Sequence, residues 1–380
     1  GVLITDFVFW VGIAHSGTLL SAILFLFRAR FRTAVYRAAE AMTVFGVMTA
    51  GLFPFIHLGR PWYGYWLLPF PNQRHLGVNF RSPLMWDVFA ISTYFIVSSI
   101  FLVVGMVPDA ASLRDAPTST GIRKKLYTLM ALGWHGTDDE WRHYTRAYLF
   151  LAAFATPLVI SVHSVVAWDF AVSIVPGWHS SLFPPYFVAG AIFSGVSMVV
   201  LILIPLRRSL GIEALVTDEH FDMLSRIVLL TGLIVTYSYL TEFAVALFGN
   251  PSPDRATLIY RATGPYAPMF WLMVFCNCVN PLLLFSRRVR RSHKALATVM
   301  ALVVVGMWLE RFNIIVTSLS HDRNPFTWRM YWPQPTEFAI TIGSFGWFFF
   351  WLLLFARFFP AVSIAELKEE AAHDPGVVHG

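Results

Sequence analysis

Long apolar runs separated by short polar breaks dominate the chain, and each run is long enough to cross about 30 Å of hydrocarbon. They predict nine membrane-spanning helices, at 5–27, 36–57, 84–107, 146–168, 184–206, 224–248, 266–285, 295–318 and 337–359. Pro61, Pro108, Gly177, Gly249 and Pro360 punctuate them. Ahead of the fourth run, GTDDEWRHYTRAY is polar yet helical in spacing. That helix is expected to begin in water, with Trp141, Tyr144 and Tyr148 in the interfacial belt. Composition agrees: 380 residues that are 57% hydrophobic and 13% charged carry too little charge for a soluble helical protein. The expected fold class is an all-α polytopic membrane protein.

Basic residues set the expected orientation. The connections after odd-numbered spans hold sixteen, including Arg28, Arg37, Arg114, Lys124, Arg207 and Arg290, against seven in the others. By the positive-inside rule the chain starts outside and its acidic tail ends in the cytoplasm. A start at Gly1 without methionine or signal peptide leads to the expectation that N-terminal sequence has been removed. GIAHSG at 12–17 and GAIFSG at 190–195 hint at an internal repeat. Two four-helix transmembrane bundles follow from it, 1–176 and 177–322, with an additional helix and cytoplasmic tail at 323–380. Cys276 and Cys278 stand at i and i+2 in an apolar helix, cannot face each other, and are read as small buried residues.

Ionisable side chains inside a bilayer are costly and by default face a cavity or one another. His15, His57, Asp87, His163, Asp169, Glu242, Glu310 and Arg311 gather towards the outer halves of the spans. The inner halves read as nearly empty, which disfavours a through-going ion transporter. The stretch from His57 to Asp87 also carries Arg60, Trp62, Tyr65, Trp66, Phe70, Arg74 and, next to the aspartate, Trp86. A histidine and a carboxylate suit the two-proton, two-electron oxidation of a quinol, whose hydroxyls each lose a proton. The rings suit stacking on its head group and equally suit interfacial anchoring. Asp87 is equally suited to helix capping, His163 to helix packing, and Arg60 to snorkelling. Glu242 has no base within a turn, and Glu310 and Arg311, being adjacent, are each expected to pair across helices. Histidines 15, 57 and 163 supply at most one outer haem layer, and the expectation is no haem or metal in this chain. No P-loop, dinucleotide fingerprint or nucleic-acid signature appears.

HLGRPW (57–62), NFRSPLMWD (79–87), TPLVISVHSVVAWDF (156–170), PGWHSSLFPPYFVAGAIFSG (176–195) and ERFNIIVTSL (310–319) resemble the NrfD/PsrC-type integral membrane subunits. Within that family they are most similar to the quinol-binding ActC subunit of alternative complex III, with the paralogous ActF close behind. The resemblance implies ten helices, so that one precedes this chain. It implies oxidation of menaquinol or another quinol at the outer face of the bacterial inner (plasma) membrane. Electrons would pass to a peripheral iron–sulfur subunit and on to c-type cytochrome subunits, beside a paralogous membrane subunit and lipids. Such a chain is not active alone. By the same resemblance His57 and Asp87 match the family's quinol-site pair, while Asp169, Glu242 and Arg311 fall among its proton-route residues. At NCVNPLLLF (277–285), Leu282 follows Pro281 where relatives carry glutamine, so no polar role is expected there. The alternatives are a structural anchor without its own quinol site and a proton-translocating subunit.

Overall fold

The computed structural model describes residues 1–26, 35–57, 59–67, 75, 77, 79–249, 252–321, 324, 326 and 328–373. These residues form helices and no strand. In order they are α1 (Val2–Leu26), α2 (Tyr36–His57), α3 (Pro83–Asp115), α4 (Gly121–Met130), α5 (Asp138–Ala171), α6 (Phe183–Ser209) and α7 (Asp218–Phe248). Then follow α8 (Ser252–Thr263), α9 (Ala267–Val274), α10 (Arg287–Arg291), α11 (His293–Ser320), α12 (Pro335–Phe358) and α13 (Ile364–His373). Nine spans among the described residues are long and apolar enough to cross a membrane, the seventh being the composite Ala267–Phe285 that α9 opens. The nine runs of the sequence are all present.

Two ends differ from expectation. Pro108 does not end α3, which continues to Asp115. Proline removes a backbone donor and crowds the preceding turn. Here the Arg37 guanidinium donates to Gly105 O at 2.7 Å, satisfying a carbonyl beside the break. The fourth span is helical from Asp138, because Thr137 and Glu140 form a reciprocal cap: the glutamate accepts from Thr137 N at 2.8 Å and the threonine hydroxyl from Glu140 N at 3.3 Å. At 34 residues α5 is about 50 Å long, so its first turns stand clear of the hydrocarbon.

α1 is the hub. It packs against α2, α5, α6, α11 and α12, and nearly all of it is buried. α1, α2, α3 and α5, the first helix group, and α6, α7, α9 and α11, the second, share an extensive seam in which α6 lies along α1 and α5 and α11 packs on α1. The two sequence-similar motifs let α1 approach α2 and α6 closely. A Cβ on Gly17 would collide with Ala39 O of α2, and one on Gly195 with the Ser16 hydroxyl of α1. Lipid offers helices no hydrophobic drive to associate, so small residues that allow close backbone approach are decisive. Replacing Gly195 by valine is expected to cost about 1–3 kcal/mol through overpacking. A lower unfolding midpoint in detergent reports it, and an unchanged midpoint would show that α1 and α6 have slack.

Candidate functional site

The same dipeptide ends two neighbouring helices at one membrane edge. Trp86–Asp87 lies in the second turn of α3, beyond Ser82 at the cap and Pro83 at the first position. Trp168–Asp169 lies in the last turn of the antiparallel α5. The carboxyl groups of Asp87 and Asp169 face each other across α3 and α5, close enough to interact. The tryptophan rings meet edge to face at 5.9 Å, and Trp86 Nε1 is anchored on Phe80 O at 2.6 Å. The Oδ1 atom of each aspartate is buried and receives no hydrogen bond among the described residues, a state that normally implies a proton, a water or a ligand. Asp87 is not an N-cap, since Ser82 holds that position and no acid lies in the first turn.

The aromatic connection stands beside this pair rather than in it. His57 is the last residue of α2 and is exposed, as is Arg60. Pro61–Leu67 is a 3-10 turn whose rings pack on one another: Trp62 and Tyr63 tilted at 6.3 Å, Tyr63 and Trp66 tilted at 5.0 Å, and Tyr65 and Trp66 edge to face at 6.4 Å. Among the described residues no hydrogen bond or ion pair joins His57 or Arg60 to either aspartate. Phe70 and Arg74 lie outside the described residues.

Deeper, where α1 meets α3 and α5, His15 stacks on Tyr94 at 4.5 Å and meets His163 at 4.6 Å. His15 Nδ1 donates to Val11 O, leaving Nε2 buried and unpartnered, as are both ring nitrogens of His163. Rings this close leave no room for a porphyrin between them, so the two histidines do not fit a bis-histidine haem. Polar groups then continue along α1 and its neighbours. Tyr94 OH and Thr43 Oγ1 both donate to Ala14 O, at 3.0 and 2.8 Å, and Thr18 Oγ1 donates to Ser98 Oγ at 3.2 Å.

At the end where the basic connections lie, this line reaches charges that the sequence pattern places in loops or does not reveal. Arg37, Glu40 and Asp109 are each at most 1% exposed. Arg37 pairs with Asp109 at 2.9 Å and faces Glu40 at 3.8 Å, and Glu40 accepts from Ser21 at 2.6 Å and Tyr148 at 2.7 Å. The half of the first helix group at this basic end, expected to be nearly empty, therefore holds ionisable groups. Tyr148, expected in the interfacial belt, is buried against Glu40. Arg37 and Glu40 open α2 one turn apart, and Asp109 follows a proline, so all three read as edge residues along the chain. The i,i+3 spacing of Arg37 and Glu40 is the signal that could have found them.

The second helix group has its own network. Glu242 pairs across helices with Arg261 of α8 at 3.1 Å, and Arg261 also donates to Thr317 and Ser318, each at 3.0 Å. Glu310 and Arg311, expected to pair with other helices, pair with each other, since both side chains bend into the same space. Tyr239 donates to Glu310, and Asn277 Nδ2 donates to Tyr239 at 2.8 Å. Leu282, where no polar role is expected, is exposed and apolar, and the polar groups of its segment are Asn277 and Asn280. α9 runs into a π turn at Phe275–Val279, and Asn280 donates to Val299 O at 3.0 Å beside Pro281. Two amides ahead of a proline in an apolar run are the signal that points to it. Cys276 in the same turn is buried as expected, while Cys278 is half-buried. Phe187 of α6 separates the two networks, with Arg311 over its ring at 4.2 Å and the His163 ring 6.1 Å from it.

Spanning helices that carry buried carboxyl pairs and ion pairs, with a polar site at one membrane edge, define a polytopic membrane subunit. Residues 1–321 match the family model described as Polysulphide reductase, NrfD, and the chain belongs to that family. Its members are membrane subunits of oxidoreductase complexes. Among curated proteins, a Halobacterium salinarum relative described as a "Putative dimethyl sulfoxide reductase membrane subunit" is 24% identical over 324 residues, covering 83% of this chain and 68% of that protein.

Proposed function

We propose that this chain is the quinol-binding subunit of a quinol:acceptor oxidoreductase of the alternative complex III type, with Asp87 and Asp169 as its proton-accepting centre. The observation that carries this reading is the pair of facing Trp–Asp dipeptides, each carboxyl keeping a buried, unpartnered oxygen. A quinol hydroxyl that reaches Asp87 Oδ1 gives up its proton there as an electron leaves. The second proton goes to His57, exposed at the end of α2 towards the bulk. Trp86 offers a ring beside the pair, while Arg60, Trp62, Tyr65 and Trp66 form the mouth through which a lipid-soluble head group arrives. His15 and His163 lie behind the pair and orient it or relay its protons. Glu242, Glu310 and Arg311 belong to a separate proton route in the second group, which the Asn277–Tyr239–Glu310 chain supports.

In this reading menaquinol or a related quinol is the substrate, and its two electrons pass to an iron–sulfur cluster in a peripheral subunit and then to c-type cytochromes. The Trp–Asp edge faces outward across a bacterial plasma membrane, with the basic ends in the cytoplasm. Residues 1–176 and 177–322 act as two four-helix units, with a paralogous membrane subunit alongside. A photoreactive quinone analogue tests the site in the assembled complex. Adducts are expected on peptides spanning 83–90 and 165–171, displaced by excess quinol. Adducts confined to partner subunits would make this chain a structural anchor.

A further inference from the structure

We propose that the basic end of the first helix group holds an anionic phospholipid between α3, α5 and α13, its phosphate diester bound by Arg146 and Lys368. A cavity of about 1020 Å³ opens there, far larger than a free phosphate needs. Its apolar wall is aromatic, with Phe25, Trp134, Trp141 and Tyr144. Trp134, Trp141 and Tyr144 pack edge to face within 5.7 Å of one another, which makes a rigid surface of the kind that lies at acyl–headgroup depth. Beyond the cavity α5 continues as a lipid-facing strip with exposed Leu149, Phe150 and Phe154, so an acyl chain has a path out.

The charge balance selects the ligand's sign. Four cations line the cavity: Arg114, Arg142, Arg146 and Lys368. Arg114 is neutralised by Asp115 through two bonds of 2.8 Å, and Arg142 pairs with Asp139. Arg146 and Lys368 are exposed and have no acidic partner among the described residues, while Glu366 is the remaining acid on the wall. Two uncommitted cations above an aromatic floor at a membrane edge match a single anionic headgroup with its chains below. Lys368 is brought there by α13, whose first turn is tied down where Asp109 accepts from Ala365 N at 2.9 Å. The tail is thus one wall of the lipid site, and Tyr148, which donates to Glu40, lies beneath it.

The test titrates phosphatidylglycerol, phosphatidylcholine and inorganic phosphate into the delipidated assembled complex, read by native mass spectrometry and by unfolding midpoint. Wild type is expected to retain phosphatidylglycerol and gain midpoint, and phosphatidylcholine to do neither. The Arg146→Gln/Lys368→Gln complex should bind one phosphatidylglycerol fewer, with affinity for that lipid lowered at least about tenfold, each near-surface cation being worth roughly fivefold. Arg146→Lys should restore most of it. Equal binding of the two lipids, or unaltered phosphatidylglycerol retention in the double variant, would overturn the proposal. So would inorganic phosphate reproducing the midpoint gain, which would make this a free-anion site. Both positions are exposed, and an unchanged midpoint without added lipid separates loss of the site from loss of fold.

Discussion

Replacing Asp87 by asparagine is expected to lower quinol turnover of the assembled complex at least about 100-fold, the usual contribution of a positioned general base. The substitution isolates the proton. Asparagine has nearly the same shape, and its amide can donate to Asp169, so the contact between α3 and α5 survives. What disappears is the negative charge and the basicity of the buried Oδ1, since an amide oxygen in its place does not take up a proton. Binding of a quinone-site inhibitor should therefore change only severalfold while turnover collapses. Asp169→Asn should behave alike, because the two carboxyl groups act as one proton-holding unit, and the double variant should be little worse than either single one. His57→Ala should cost less, since its side chain is exposed and bulk water can take over its proton. If both aspartate variants turn over normally with normal inhibitor binding, the chemistry lies in another subunit.

Removing Arg37 is expected to be the most destabilising single change at the opposite edge, at about 3–5 kcal/mol. Its guanidinium faces Asp109 and Glu40, both buried, and satisfies Gly105 O beside the Pro108 break. Truncation to alanine leaves carboxylates buried without their counter-charge and frees a backbone carbonyl in the same place. The complex should accumulate poorly and melt lower in detergent. Asp109→Asn placed on top of Arg37→Ala should recover part of the loss, because it removes one orphaned charge. A midpoint within a degree of wild type in Arg37→Ala would mean that water reaches the cluster and solvates it. Asp109 also accepts from Ala365 N, so the same variant should loosen α13 and raise protease sensitivity of the tail.

The two sites differ in how readily a reader of the sequence finds them. Asp87 and Asp169 stand out because each is a charge at the end of an apolar run, and each follows a tryptophan. Their partnership does not stand out. His57 is nearer to Asp87 along the chain and carries the expected chemistry, yet the carboxyl group that touches Asp87 comes from α5. Glu310 and Arg311 show the converse: neighbours expected to diverge on a helix surface instead bend together, because burial penalises either one alone.

Periodicity and length by themselves determined the nine spans, since a backbone in hydrocarbon must satisfy its own hydrogen bonds and each crossing needs a fixed run of apolar residues. They also marked which chemical groups the membrane must accommodate. Which groups meet was decided only by the tertiary structure. That choice depends on the rotation of each helix about its axis and on how closely α1 approaches α2 and α6 at Gly17 and Gly195. Helix rotation is set by packing against partners distant in the chain, a term local sequence does not carry. For the same reason Arg37, Glu40 and Asp109, edge residues when read in order, became a buried charge cluster once α2 and α3 were brought against α1 and α5.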